Sequence, residues 1–99
     1  MGKYVYIYYN EEQADAGSME VWVQWFAKLG DKLVDGGNPF NMGGQVVHEG
    51  GVMPVKDMPA TGYSIVTADS MEAAIELAKG CPLVELKSGA VAVYEALPM

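Results

Sequence analysis

The side chains whose type and position suggest acid–base chemistry are His48, the one histidine, and Asp57, one of 13 acidic residues. An imidazole titrates near neutrality, and a neighbouring carboxylate can fix its tautomer and make it a general base. Spacing works against the pair within one chain. Gly50-Gly51 reads as a two-residue primed turn, which sets His48 opposite Met53, four residues short of Asp57. At about 3.3 Å per residue the ladder holds the two some 13 Å apart. A dyad across two copies stays open, and so does a solvated hairpin histidine. Asp57 has two readings: a turn former before Pro59, or a cleft carboxyl whose pKa desolvation by tyrosines would raise into a useful range. Cys81 follows a helix C-terminus, where the negative dipole end discourages a thiolate, and reads as a small buried residue.

Aromatic residues are the stronger binding candidates. Tyr4, Tyr6, Tyr8, Tyr63 and Tyr94 each offer an apolar ring with a hydroxyl that can orient a small ligand, and Trp22 or Trp25 could stand beside them. The competing reading has the same rings packing an interface. Base stacking on RNA is disfavoured by the charge balance, 13 acidic against 6 basic residues for a net −7, with no Lys/Arg-rich stretch to neutralise phosphates. The same balance disfavours an anionic membrane surface, and no apolar run reaches the length of a span. Gly36, Gly37, Gly43 and Gly44 lack the Lys-Ser/Thr of a phosphate loop. One Cys and one His cannot supply a structural zinc site, so no metal and no cofactor are expected. A cytoplasmic location is the default for such a chain.

The elements that must position these residues follow from periodicity. Residues 3–9 alternate as a strand, with Val5, Ile7 and Tyr9 on one face and Tyr4, Tyr6 and Tyr8 on the other; neither face is polar, so both must be covered. After a polar connection at 10–17, a helix over 18–29, capped by Ser18 or Asp15, carries Trp22, Trp25, Phe26 and Leu29 on one stripe and stops at Gly30. A short strand at 31–35 leads into a Gly/Pro/Asn loop. Segments 45–49 and 52–56 make the hairpin, its second arm at an edge because Pro54 has no N–H to donate. Strand 62–68 precedes a helix over 70–79, with Asp69 as cap and Glu72 reaching back; it buries Met71, Ala74, Ile75 and Ala78 and ends at Gly80 and Pro82. Residues 83–86 read as extended, and 90–96 as the last strand.

Ninety-nine residues suffice for one core, and hence one domain over 1–99. The order β, α, β, hairpin, β, α, β is an α+β arrangement: a ferredoxin-like βαββαβ fold with an inserted β-hairpin. Its two helices cover one sheet face. The other carries the Tyr4, Tyr6, Tyr8 row or, in the reversed register, the Val5, Ile7 row. With 51% hydrophobic residues, covering that face with a second copy is the simplest arrangement.

Several stretches resemble the YCII-related (DGPF-domain) family: Asp57-Met58-Pro59-Ala60-Thr61-Gly62-Tyr63-Ser64-Ile65-Val66, Ala68-Asp69-Ser70, Ala78-Lys79-Gly80-Cys81-Pro82 and Val93-Tyr94-Glu95, together with Lys3-Tyr4-Val5 and Leu33-Val34-Asp35-Gly36-Gly37. The resemblance implies a ferredoxin-like chain that forms a dimeric α+β barrel with a cleft between the sheets. The family's Asp-Gly-Pro-Phe appears here as Asp57-Met58-Pro59-Ala60. Of the His–Asp pair in one branch of the family only the Asp maps, to Asp57. Two functions follow as expectations. In one, a homodimer binds a small apolar or aromatic metabolite through Tyr4, Tyr6, Tyr8, Trp22, Tyr63 and Tyr94, with acid–base work by Asp57 and His48. In the other, a non-catalytic interaction module uses its tyrosine face only for assembly.

Overall fold

The computed structural model describes residues 2–10, 19–41, 43–55 and 59–99. Its elements run β1 (Gly2–Tyr9), α1 (Met19–Leu29), β2 (Leu33–Asp35), β3 (Gln45–His48), β4 (Gly51–Pro54), β5 (Ala60–Ala68), α2 (Met71–Ala78), α3 (Pro82–Glu85) and β6 (Ala90–Ala96). Four strands form a sheet in the order β2-β5-β1-β6 with every neighbour antiparallel, and β3 and β4 form a separate pair. The strands flanking α1 are not neighbours, because β5 lies between them. That split β-α-β arrangement is the ferredoxin-like fold.

The register decides which row of β1 meets the helices, and it is the reversed one. Tyr4, Tyr6 and Tyr8 stand opposite Val66, Ser64 and Gly62 on one side and Glu95, Val93 and Val91 on the other. All three tyrosines are buried. Tyr6 stacks on Trp25 with ring centroids 6.0 Å apart, and Tyr8 meets Trp22 edge-on at 5.0 Å. The row placed first on the open face therefore lies beneath the helices. The physical reason is the hydroxyl: a buried tyrosine is tolerated when its oxygen finds a partner. Tyr6 donates to the Ala74 carbonyl at 2.5 Å, and Tyr8 to Ser64 Oγ at 2.7 Å. α2 lets this happen by turning only Ala74 and Ala78 fully inward, so its backbone comes close to the rings. Trp25 ties α1 to α2 through Nε1 and the Leu77 carbonyl at 3.4 Å. The open face is left to Val5 and Ile7, opposite Ile65 and Tyr63 on β5 and Tyr94 and Ala92 on β6.

Other expectations change in detail. The α1 stripe packs as expected, Trp25 and Leu29 buried and Trp22 and Phe26 against them. Caps at Asp15 and Ser18 lie outside the described residues. At α2 the cap is Ser70 rather than Asp69: Ser70 holds the extended conformation immediately before Met71, and its Oγ accepts from Ala73 N at 3.1 Å. Ile75 is 40% exposed, and Leu77 packs inward in its place. Residues 83–86 are not extended. Pro82, at the first position of α3, starts a short helix that drives Leu83 into the core. The hairpin turn is Glu49-Gly50 rather than Gly50-Gly51, so His48 pairs with Gly51. Pro54 is accommodated because either strand of a two-stranded ladder is an edge.

Cys81 is fully buried, and burial pushes its thiol from 9.0 up to about 11, with the Leu83 and Val84 amides opposing only in part. Burial likewise pushes Tyr6 from 10.0 to about 12. In both, the neutral form is favoured in the fold, so the unfolded chain ionises first as pH rises. Stability is fully present below about pH 9 and falls as pH climbs through about 9 to 11, with a further loss from Tyr6 between about 10 and 12. Urea midpoints measured across this range should show the decline, and Cys81→Ala should remove its earlier part.

Candidate functional site

Where β1 runs out beneath the start of α1, the sheet and the loop after β2 part to leave a cleft of about 370 Å³. Its walls are mainly rings and aliphatic groups: Tyr8 from β1, Trp22 and Phe26 from α1, Leu83 from α3, with Met19 at the rim. Trp22 stands between Tyr8 and Phe26, its ring centroid 5.0 Å and 6.0 Å from theirs. Asn10, Thr61 and the backbone of 36–39 supply the polar side.

A register shift puts Thr61 there. β1 pairs Tyr8 with Gly62 and then Tyr9 with Ala60, so Thr61 is the extra residue of a bulge, the device that re-aims a side chain out of the regular alternation. Its hydroxyl donates to Asn10 Oδ1 at 2.6 Å, with the Tyr8 carbonyl a longer contact at 3.2 Å. Asn10 is itself buried and forms part of the cleft wall.

The opposite wall is the loop 36–40, closed by a turn of its own and held to β5 through Gly36, Pro39 and Phe40. Asp35 Oδ1 accepts from Gly37 N at 2.8 Å, which closes the turn. Pro39 bridges Gly62, and Phe40 N donates to the Thr61 carbonyl at 2.8 Å. Gly37 has φ +73°, and a Cβ there would lie 1.8 Å from the Tyr63 carbonyl oxygen, so no other residue fits without moving the wall. Beneath it, Ser64 Oγ donates to the Gly36 carbonyl at 2.7 Å while accepting from Tyr8. One serine thus locks the tyrosine floor to the glycine wall.

Among the described lining residues the titratable side chains are Tyr8 and Tyr63. Burial raises the Tyr8 pKa well above the tyrosine range, and the Ser64 bond offsets this only in part, so Tyr8 stays a neutral hydroxyl. This arrangement can bind and orient a flat apolar molecule and satisfy an oxygen or two on it.

Of the residues singled out in the sequence, Tyr8, Trp22 and Tyr63 come together here. Tyr4 and Tyr6 lie in the helix-covered core away from the lining, and Tyr94 is exposed on the open face opposite Val5. His48 sits in the exposed hairpin, where its Nδ1 accepts from Gly50 N at 3.0 Å and so braces the turn. Asp57 lies outside the described residues. Asn10, Thr61 and Gly37 were missed. Asn10 stands in the sequence only at the start of a polar connection, and the Asp35-Gly36-Gly37 run is the one local signal of a tight wall. Among the described residues no cluster of three or more His, Cys, Asp or Glu could hold a metal ion, and no helix is long and apolar enough to cross a membrane.

An antiparallel sheet with a split β-α-β core and helices on one side defines the α+β class to which the chain belongs. Within it, residues 3–99 match the YCII-related domain, and the chain is a member of that family. A similar solved structure is 5-chloro-2-hydroxyhydroquinone dehydrochlorinase (TftG) from Burkholderia phenoliruptrix AC1100, in complex with 2,5-dihydroxybenzoquinone. The two are 14% identical, the match covers 93% of this chain and 90% of that one, and the TM-score is 0.60, a likeness of fold. No curated protein matches the sequence.

Ser64→Ala should cost roughly 1–3 kcal/mol, since it strands a buried tyrosine hydroxyl and a carbonyl together. Pairing it with Tyr8→Phe should cost less than the two single changes added, because both remove the same bond; a double-mutant cycle in urea reads the coupling.

Proposed function

We propose that this protein binds a flat small molecule, an aromatic ring bearing oxygen substituents, in the cleft between α1 and the sheet, and that it does so as a homodimer joined through the open sheet face. The cleft's composition carries the reading. Two indole and phenyl walls and a tyrosine floor suit a planar ring, and Asn10 and Thr61 offer a polar edge where a hydroxyl or carbonyl can be matched. The dihydroxybenzoquinone held by the structurally similar dehydrochlorinase is a ligand of that shape and polarity, which supports the class of ligand through fold likeness alone. The described walls bind and orient; acid–base chemistry in the cleft, with Asp57 as its donor or acceptor, would be an addition to that binding. The dimer is supported by the row Val5, Ile7, Ile65 and Ala92, an apolar strip on the sheet side that the helices leave alone.

A panel of hydroquinones, hydroxybenzoates and unsubstituted arenes, followed by tryptophan fluorescence and thermal shift, tests the cleft. A ligand at a hundred times its dissociation constant adds about 2.7 kcal/mol to stability. Thr61→Val should weaken hydroxylated members about tenfold while leaving unsubstituted arenes unchanged. If no panel member quenches fluorescence or shifts melting at millimolar concentration, the binding reading fails. Ile7→Glu should turn the dimer into monomers in sedimentation without unfolding it.

A further inference from the structure

The β3–β4 hairpin is built from apolar residues that its own chain leaves in solvent. Every residue from 43 to 55 is exposed, with Val47 at 78% and Val52 at 64%. Val47 faces Val52 across the ladder and Val46 faces Met53, so both faces of the hairpin carry paired apolar side chains. A two-stranded hairpin is marginal in water by itself and gains stability by lying on another surface. Residue types along it are telling. From 43 to 55 the only ionisable side chains are His48 and Glu49, both at the turn end.

The open sheet face has the same character. Val5, Ile7, Ile65, Ala92 and Tyr94 bring no charge to its middle, and Lys3 at the end of the same β1 row is opposite in sign to the −7 of the chain as a whole. Two copies of so acidic a protein repel one another over most of their surface, and approach is cheapest where uncharged faces meet. Area points the same way. Four strands about 4.8 Å apart and some seven residues long make a face of roughly 450 Å² in projection, and β2, at three residues, trims it further. A stable interface removes about 800 Å² per partner, so the sheet alone falls short. A hairpin of two four-residue strands laid flat adds roughly 130 Å² of its own and covers as much of what it lies on.

We propose that the hairpin is an arm that crosses to a second copy of this chain and lies, Val47–Val52 side down, on the border of that copy's open sheet. Two-fold symmetry makes the exchange reciprocal, so each chain both gives and receives an arm. This rests on the dimer of the proposed function and adds to it a second contact element beside the sheet.

The test uses the whole chain. Wild type is sized by sedimentation over micromolar concentrations. A sample mixing valine-methyl-labelled with unlabelled chains is then read for isotope-filtered NOEs. Wild type should be a dimer, its Val47 and Val52 methyls should show NOEs to protons of the unlabelled partner, and Val47→Glu/Val52→Glu should raise the dissociation constant at least about tenfold. Because both valines are solvent-exposed within one chain, the variant's circular dichroism and its cleft ligand binding should match those of wild type. A wild type that stays monomeric removes the dimer and the arm together. A dimeric wild type without those NOEs, or a double variant that dissociates as wild type does, overturns the arm alone and leaves the sheet dimer standing.

Discussion

The packing of three tyrosine rings under two short helices is the constraint on which the rest of this structure depends. A phenol fills a core generously, but its hydroxyl cannot be left dry and unpaired. The fold meets that condition twice in different ways. Tyr6 is satisfied by a helix carbonyl, which requires α2 to come close, which in turn requires alanines on its inward face. Tyr8 is satisfied by Ser64 on the neighbouring strand. Once these bonds are made, the register of β1 against β5 is fixed, because a slip of one residue would turn the whole tyrosine row out and the Val5, Ile7 row in.

The cleft is a consequence of how that core ends. Tyr8 is the last of the buried row, and beyond it the bulge at Thr61 breaks the ladder and opens the sheet. Ser64 serves the core on one side and the Gly36 carbonyl on the other, so the floor and the wall of the cleft share a single bonded unit. Stability and ligand geometry are therefore coupled: a change that loosens the tyrosine floor also moves the glycine wall. Trp22 and Phe26 belong to both, packing against the core and facing the cavity.

The two sides of the sheet divide the chemistry between them. The helix side holds the hydroxyl-bearing rings, whose polar ends need fixed partners that a folded chain can provide internally. The other side holds the aliphatic positions Val5, Ile7, Ile65 and Ala92, which ask for nothing but exclusion from water, beside Tyr94, whose ring is exposed. An aliphatic surface of that kind is indifferent to geometry and can be completed by another molecule, and the hairpin presents exposed apolar pairs of its own.

Much of the architecture was legible in the residues: the alternation in 3–9, the aromatic stripe of α1, the hairpin and the order of elements all follow from periods of two and 3.6 that neighbouring residues impose on one another. Cys81 as a small buried residue, and Gly30 as the end of α1, are equally local matters. What the sequence could not determine was which face of β1 met the helices, since both rows are apolar and alternation is silent when neither side is polar. Nor could it foresee the helix at 82–85 or the turn at Glu49-Gly50, where one proline and one of two adjacent glycines had to be weighed against contacts far away in the chain. The cleft belongs wholly to the tertiary structure. Asn10, Gly37 and Thr61 are unremarkable apart, and they become a site only because a bulge, an Asp-closed turn and the end of a buried tyrosine row meet at one edge of the sheet, a coincidence of long-range packing that no local period encodes.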